Sequence, residues 1–231
     1  TELAMLNKTK MENILQIGKE TTKGLGAGAN PDMGEKAAIE SKEDIKKLLE
    51  GTQLLFLTAG MGGGTGTGAI PVVAEIAQEM GIQTIAIVTK PFLFEGRLRS
   101  SRADSGIEKL KQYVNSLILI SNDKLLKIAG NQKMSVINAF KMADNVLEQG
   151  IKSITDLITS VGDINVDFAD VKTVLEYTGY SYMGIGRDNG ENKIVEATMK
   201  ALNNPLTETG IENAKGVIFN IKGSEDISLE D

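Results

Sequence analysis

The apolar run Leu54-Leu55-Phe56-Leu57-Thr58 passes without a break into AGMGGGTGTGA, residues 59–69. A short continuous apolar run suits a buried parallel strand. Residues 69–80 then carry Ile70, Val73, Ala74, Ala77 and Met80 at helical spacing. Glycine tolerates positive φ and lets backbone N–H groups approach a ligand closely. A glycine run between a strand and a helix therefore forms a nest of donors at a helix N-terminus, which is the physical form of a phosphate site. A merely flexible turn needs neither the strand before it nor the helix after it. Thr65 and Thr67 add hydroxyls or a metal-directed oxygen, and Ile70-Pro71 fits the first turn of the following helix.

The same alternation of periods continues. Ile82 to Val88 and Leu117 to Ile120 are apolar, β-branched runs, and residues 100–114 between them place Ile107, Leu110 and Val114 on one helical face. The order β-α-β-α-β predicts an α/β fold: a parallel sheet with helices on both faces, right-handed crossovers and ligands at the carboxyl ends of the strands. Upstream, Ser41-Lys42-Glu43-Asp44 reads as a capping box before Ile45, Leu48 and Leu49, with Gly51 closing that helix. From Val136 to Ile158 the helical spacing persists over more than 20 residues. That length exceeds the usual helix and predicts a long central helix between two domains. Residues 167–177 and 191–203 read as helices, and Tyr180 to Ile185 and Gly216 to Ile221 as strands, the start of a second α/β domain. The expected division is a first α/β domain over 1–133, the central helix over 134–160 and a second, incomplete domain over 161–231.

Composition narrows the chemistry. The 231 residues contain no Cys and no His, which excludes the usual zinc sites, thiol nucleophiles, disulfides and any imidazole base. Carboxylates, amides, hydroxyls, Lys and Arg remain, with a hard metal ion as the compatible cation. The net charge of −6 argues against a nucleic-acid partner. No apolar run approaches the roughly 20 residues of a membrane helix and no signal peptide is visible, so direct membrane insertion is not expected and a cytoplasmic location is.

A second glycine loop, GLGAGANP at 24–31, repeats the logic of the first, with Asn30 able to cap and Pro31 able to open a helix. Two nests suggest a polyphosphate held from two sides. No Lys follows Gly66 or Gly68 as a Walker loop requires, which excludes a P-loop NTPase on this stretch. A dinucleotide loop fits poorly as well, because the strand Ile82 to Val88 ends in Thr89-Lys90 and not in the acidic residue that holds a ribose.

GGGTGTG at 62–68, GLGAGANP at 24–31, TKPFLFEGRLR at 89–99 and NVDFADV at 165–171, in this order, resemble FtsZ, the bacterial tubulin-like cell-division GTPases. The resemblance covers essentially the whole chain. It implies GTP/GDP as ligand, with Gly62, Gly63, Gly64, Thr65 and Gly66 on the phosphates and Gly26, Ala27, Gly28, Ala29 and Asn30 sensing the γ-phosphate. Glu95 and Arg99 are implied at the ribose end, and Asn122, Phe140 and Asp144 around the base. Mg²⁺ is implied on the phosphates and water, with no protein metal ligands. In this family the loop carrying Asn165, Asp167 and Asp170 lies at the opposite end of the subunit, so the resemblance implies catalysis in trans within a head-to-tail homopolymer. It further implies a division-site location, and membrane-tethering and division proteins as partners through a C-terminal tail. The family pattern leads one to expect a further β-α-β unit with a GGGGNAV-type loop before Thr1, and weak activity without it.

The residues support these assignments unequally. Phe140 and Asp144 are four apart and share a helix face, and a ring beside a carboxylate suits guanine, whose N1–H and N2–H₂ the carboxylate accepts. On spacing alone, however, Phe140 reads as core and Asp144 as solvated. Arg97, Arg99 and Arg102 near Glu95 equally form an exposed ion-pair face. Asp167 and Asp170 read as an N-cap and a first-turn carboxylate, or as groups that orient a water and a cation for attack on a γ-phosphoryl group. Two other classes stay open: a nucleotide-dependent scaffold without turnover, and a dinucleotide-dependent oxidoreductase.

Overall fold

The computed structural model describes residues 1–7, 11–128, 135–159, 167–177, 179–203, 211 and 214–223. In chain order the elements are α1 (Leu3–Leu6), α2 (Lys19–Thr22), α3 (Pro31–Glu40), α4 (Lys42–Leu49), β1 (Leu54–Gly60), α5 (Thr65–Glu79), β2 (Gln83–Lys90), a 3₁₀ turn (Leu93–Glu95), α6 (Arg97–Lys111), β3 (Ser116–Ser121), α7 (Asn122–Ile128), α8 (Val136–Thr159), α9 (Phe168–Leu175), β4 (Gly179–Tyr180) and α10 (Lys193–Leu202). The strands form one sheet in the order β1-β2-β3-β4, parallel throughout, with Leu54 opposite Gln83 and Ile85 opposite Ser116.

Strand alternation sorts the core onto two faces. Ala86, Val88, Leu117 and Leu119 pack with Ala103, Ile107 and Leu110 of α6. Their neighbours Ile85, Ile87, Ile118 and Ile120 pack on the other face with Val171 and Leu175 of α9 and with Val146, Leu147 and Ile151 of α8. A third cluster joins α3 and α4 to the outer side of α5 through Ala38, Ile45, Leu49, Ala69, Val72 and Ile76. The parallel sheet with helices on both faces and the long helix α8 are as expected.

Four local expectations are corrected. Helix α5 begins at Thr65, not near residue 69, because the Gly68 N–H bonds to the Gly64 carbonyl and closes the first turn inside the glycine run. Pro71 is therefore an interior residue of that helix and not a first-turn one. Ser41 flanks α4 but makes no capping bond; its hydroxyl accepts the Gly18 N–H at 3.0 Å, which leaves the helix start to the first-turn acids Glu43 and Asp44. Of the strands expected over 180–185 and 216–221, residues 181–185 and 216–221 form none, since a strand needs a ladder partner and among the described residues of these segments only Tyr180 finds one, on β3.

Candidate functional site

The two glycine loops meet. A Cβ built on Gly64 would lie 2.7 Å from the Ala27 Cβ, 2.9 Å from the Asn30 N and 3.0 Å from the Asn30 O, so only glycine lets them approach this closely. The second loop is a succession of left-handed residues, with Gly26 at φ 87°, Gly28 at 58° and Ala29 at 55°. It ends as expected: the Asn30 side chain accepts the Asp32 N–H at 3.0 Å and Pro31 opens α3. Helix α3 then crosses α5 so tightly that a Cβ on Gly68 would overlap the Pro31 carbonyl oxygen. Packing of α3 on α5 is thus what brings one loop against the other.

Within the first loop the hydrogen bonds are divided. The Gly62 N–H donates to the Thr67 hydroxyl at 2.8 Å, and the Met61 N–H to the Thr89 carbonyl at 2.9 Å. Thr67 is buried, so its hydroxyl folds the loop and faces no ligand. The N–H groups of Gly63, Gly64, Thr65 and Gly66 have no partner among the described residues. Four adjacent donors at the start of a 15-residue helix, with the partly buried Thr65 hydroxyl beside them, constitute an anion nest. The donor set is amide and hydroxyl, and among the described residues no three acidic side chains cluster to hold a metal ion. Such a set fits phosphate directly, with a hard cation held through phosphate oxygens and water.

The nest lies at the carboxyl end of β1, and the remaining residues at this edge follow β2 and β3. After β2, Glu95 is drawn inward: its Oε1 accepts the Phe92 N–H at 2.8 Å and its Oε2 meets the Arg99 Nε at 3.1 Å. Arg99 is half exposed and leans on the glycine loop, since a Cβ on Gly62 would come within 2.7 Å of its Cγ. After β3, Asn122 is buried, and its Oδ1 has no hydrogen-bond partner among the described residues. Phe140 of α8 sits edge-on to Phe92, with ring centroids 5.3 Å apart. Asp144, one turn further along α8, is exposed.

Asp167 and Asp170 stand elsewhere. Helix α8 starts at the carboxyl edge, where Phe140 meets Phe92; at its middle a Cβ on Gly150 would lie 3.6 Å from Ile87, and further on Asp156 pairs with Lys222. Helix α9 leads into β4, whose Gly179 pairs with Ser116 at the amino end of β3. Asp167 caps α9, accepting the Ala169 N–H at 3.4 Å, and Asp170 lies in its first turn. Neither carboxylate has a hydrogen bond or ion pair to the glycine loops. Asn165 lies outside the described residues.

Residues 1–130 match the sequence profile of the Tubulin/FtsZ family, GTPase domain, and residues 179–231 that of the FtsZ family, C-terminal domain. The chain belongs to the Tubulin/FtsZ family. Among solved structures it is similar to an empty FtsZ dimer from M. jannaschii, at 48% identity and a TM-score of 0.85 over 89% of this chain and 60% of that one. A point mutant of FtsZ from M. jannaschii gives 47% identity and a TM-score of 0.86 over 90% and 62% of the two chains. CetZ2 from Haloferax volcanii, solved as a GTPγS-bound protofilament, shares the fold at 22% identity and a TM-score of 0.72 over 91% and 64%. The chain thus spans about three-fifths of the length of the FtsZ chains it matches. The fold is that of the tubulin/FtsZ nucleotide-binding domain, and the family is one of GTPases. No helix among the described residues is long and apolar enough to cross a membrane.

Sequence reasoning overlooked Phe92 and Phe94, whose rings stack 4.9 Å apart beside Phe140, and Asp123, whose Oδ1 accepts the Leu93 N–H at 3.0 Å. Three phenylalanines in a chain with six are a visible signal, but only the fold places residue 140 next to residues 92 and 94.

Proposed function

We propose that this chain is the nucleotide-binding part of a GTP-hydrolysing protein that polymerises head to tail, each junction completing a hydrolytic site. The observation that carries the reading is the meeting of two glycine loops at the carboxyl end of β1, with Gly64 against Ala27 and Asn30 and four free N–H donors beside them. On this reading Gly62 to Gly66 bind the β- and γ-phosphates, although Gly62 contributes through loop shape, its N–H being taken by Thr67. Residues Gly26 to Asn30 close over the γ-phosphate. Mg²⁺ offsets charge on the phosphate oxygens and is held by them and by water.

Arg99 reaches the ribose, while Glu95 orients it through their ion pair. Phe140 stacks on the base, Asp144 accepts guanine N1–H and N2–H₂, and the partnerless Oδ1 of Asn122 accepts a further base donor. Adenine lacks the donor pair that Asp144 requires. Asn165, Asp167 and Asp170 of the next subunit orient a water whose oxygen attacks the γ-phosphorus as the bond to the β-γ bridging oxygen breaks, giving GDP and phosphate. The absence of any hydrogen bond or ion pair between the α9 carboxylates and the glycine loops supports action in trans. Such heterologous association yields an open filament. We assign residues 1–133 to nucleotide binding, 134–160 to the central helix and 161–231 to a second domain, in a cytoplasmic division protein tethered to the membrane by partners.

The test is phosphate release from GTP and from ATP over a range of concentrations of the full-length protein. The expected outcome is a threshold concentration with GTP, no turnover with ATP, and loss of GTP turnover in Asp170→Ala. Turnover strictly proportional to protein, or indifferent to the base, would overturn the trans mechanism or the guanine assignment. Assembly with GTP but without phosphate release would identify a scaffold.

A further inference from the structure

Two aromatic rings, Phe92 and Phe94, and the Asp123 carboxylate lie beside Phe140 and have no role in the reading above. Phe92 and Phe94 lie nearly parallel, 4.9 Å apart at 11°, and Phe140 meets both edge-on, at 90° to Phe92 and at 88° and 6.3 Å to Phe94. Edge-to-face contact with a stacked pair fixes the plane of a ring, since both its tilt and its height are constrained. The pair belongs to the turn after β2, while Phe140 belongs to α8, 46 residues after Phe94 in the chain numbering. The position of Phe140 therefore depends on how firmly that turn is held.

Two carboxylates hold it. Glu95 Oε1 accepts the Phe92 N–H from within the turn. Asp123 Oδ1 accepts the Leu93 N–H at 3.0 Å from outside it, at the start of α7. Phe92 is buried and seats the start of the turn, whereas Leu93 and Phe94 are largely exposed, and the charge-assisted bond from Asp123 is the polar tether of this part. Asp123 directly follows Asn122, whose Oδ1 is buried and partnerless. One dipeptide at the end of β3 thus presents an acceptor and pins the neighbouring turn.

We propose that Asp123 is a positioning residue for base recognition: it fixes the turn at residues 92–95, whose stacked rings set the plane of Phe140 against the base. This rests on the nucleotide reading above. The alternative is a local structural role, the carboxylate merely favouring the N-terminus of α7. Asp123→Asn separates the two, because it keeps an Oδ1 acceptor for Leu93 and removes the charge.

The experiment measures GDP affinity by fluorescent-nucleotide displacement and unfolding of the nucleotide-free protein, for full-length wild type, Asp123→Ala, Asp123→Asn, Phe94→Ala and the Asp123→Ala/Phe94→Ala double variant. Asp123→Ala is expected to weaken GDP binding roughly tenfold, the scale of one charge-assisted hydrogen bond. Asp123→Asn should bind within about twofold of wild type, and the double variant should bind no worse than Phe94→Ala, as residues acting through one element do. Unchanged affinity in Asp123→Ala, an Asp123→Asn loss equal to that of Asp123→Ala, or additive losses in the double variant would each overturn the proposal. If Asp123→Ala does not fold, the comparison of Asp123→Asn with Phe94→Ala decides: the first near wild type and the second weakened supports the proposal, and any other pattern refutes it. Wild-type protein that binds no guanine nucleotide overturns the nucleotide reading and this inference with it, before any variant is made.

Discussion

At the scale of the residue, adjacent glycines in one loop have different jobs. At Gly64 an added methyl would collide with backbone atoms of Asn30, which cannot rotate away, whereas at Gly63 a Cβ would meet nothing within 4 Å. Gly64→Ala is therefore expected to lower both stability and nucleotide affinity, by driving the two loops apart. Gly63→Ala should leave stability within about 0.5 kcal/mol of wild type and still weaken nucleotide binding, because the open space beside it is where the proposed phosphates lie. Denaturant unfolding and nucleotide titration of the two variants check this. Thr67 gives a third outcome. Thr67→Val preserves shape but strands the buried Gly62 N–H, an expected cost of about 1–3 kcal/mol in denaturant unfolding, while Thr67→Ser should retain most of the stability.

At the scale of the element, the short helix α2 illustrates how little of a helix is local. Four residues cannot sustain a helix alone. It is held from α3, where Glu40 accepts the Thr21 hydroxyl at 2.6 Å and the Glu20 and Thr21 N–H groups at 3.0 and 2.9 Å. The Thr21 hydroxyl first, and then the two amides, hold the Glu40 carboxyl below the ordinary glutamate range. A carboxyl whose pKa is lower folded than unfolded stabilises fully above the unfolded value and loses that contribution as pH falls through the folded one. Glu40→Gln should therefore melt below wild type at pH 7, and the gap should close as pH is lowered through and below the ordinary glutamate range. The effect will be small at this exposed site, and thermal melts across that range measure it. Ser41 belongs with this group. Its hydroxyl serves the Gly18 N–H and not α4, so Ser41→Ala should disturb the approach of residue 18 to α3 more than the helicity of α4.

At the scale of the whole molecule, α8 joins the two ends of the proposed chemistry. Its 24 residues span about 36 Å, enough to cross the sheet from the Phe140 edge to the segment that leads into α9. On the proposed reading, a nucleotide at the glycine loops of one subunit and the α9 carboxylates of the next predict complementation between defective subunits. Asp170→Ala subunits bind GTP but offer no working loop, and Gly63→Ala subunits offer the loop but hold nucleotide weakly. Mixing them should restore part of the phosphate release that each lacks alone, because a junction with the intact nest below and the intact loop above is complete. Absence of recovery, with co-assembly shown by sedimentation, would place both half-sites on one chain.

The amino-acid sequence by itself determined the elements whose cause is local. The apolar runs of β2 and β3 suit buried strands and that of β1 a strand, which at the edge of the sheet is only partly buried, Asn30 caps and Pro31 opens α3, and the long apolar stripe of α8 calls for a packed surface. The glycine nests were legible for the same reason, since few structures other than a close backbone approach require so many residues without side chains. The tertiary structure alone decided which partner each polar group found. Ser41 carries the sequence of a cap and is claimed by Gly18, Thr67 looks like a ligand hydroxyl and is claimed by Gly62, and Glu95 looks like a surface ion and turns inward to Phe92. Residues 216–221 have the pattern of a strand but no ladder partner among the described residues. Local propensity follows from the backbone and the nearest few side chains, whereas hydrogen-bond partners, ring contacts and strand pairing depend on groups tens of residues away, whose proximity only the packed sheet establishes.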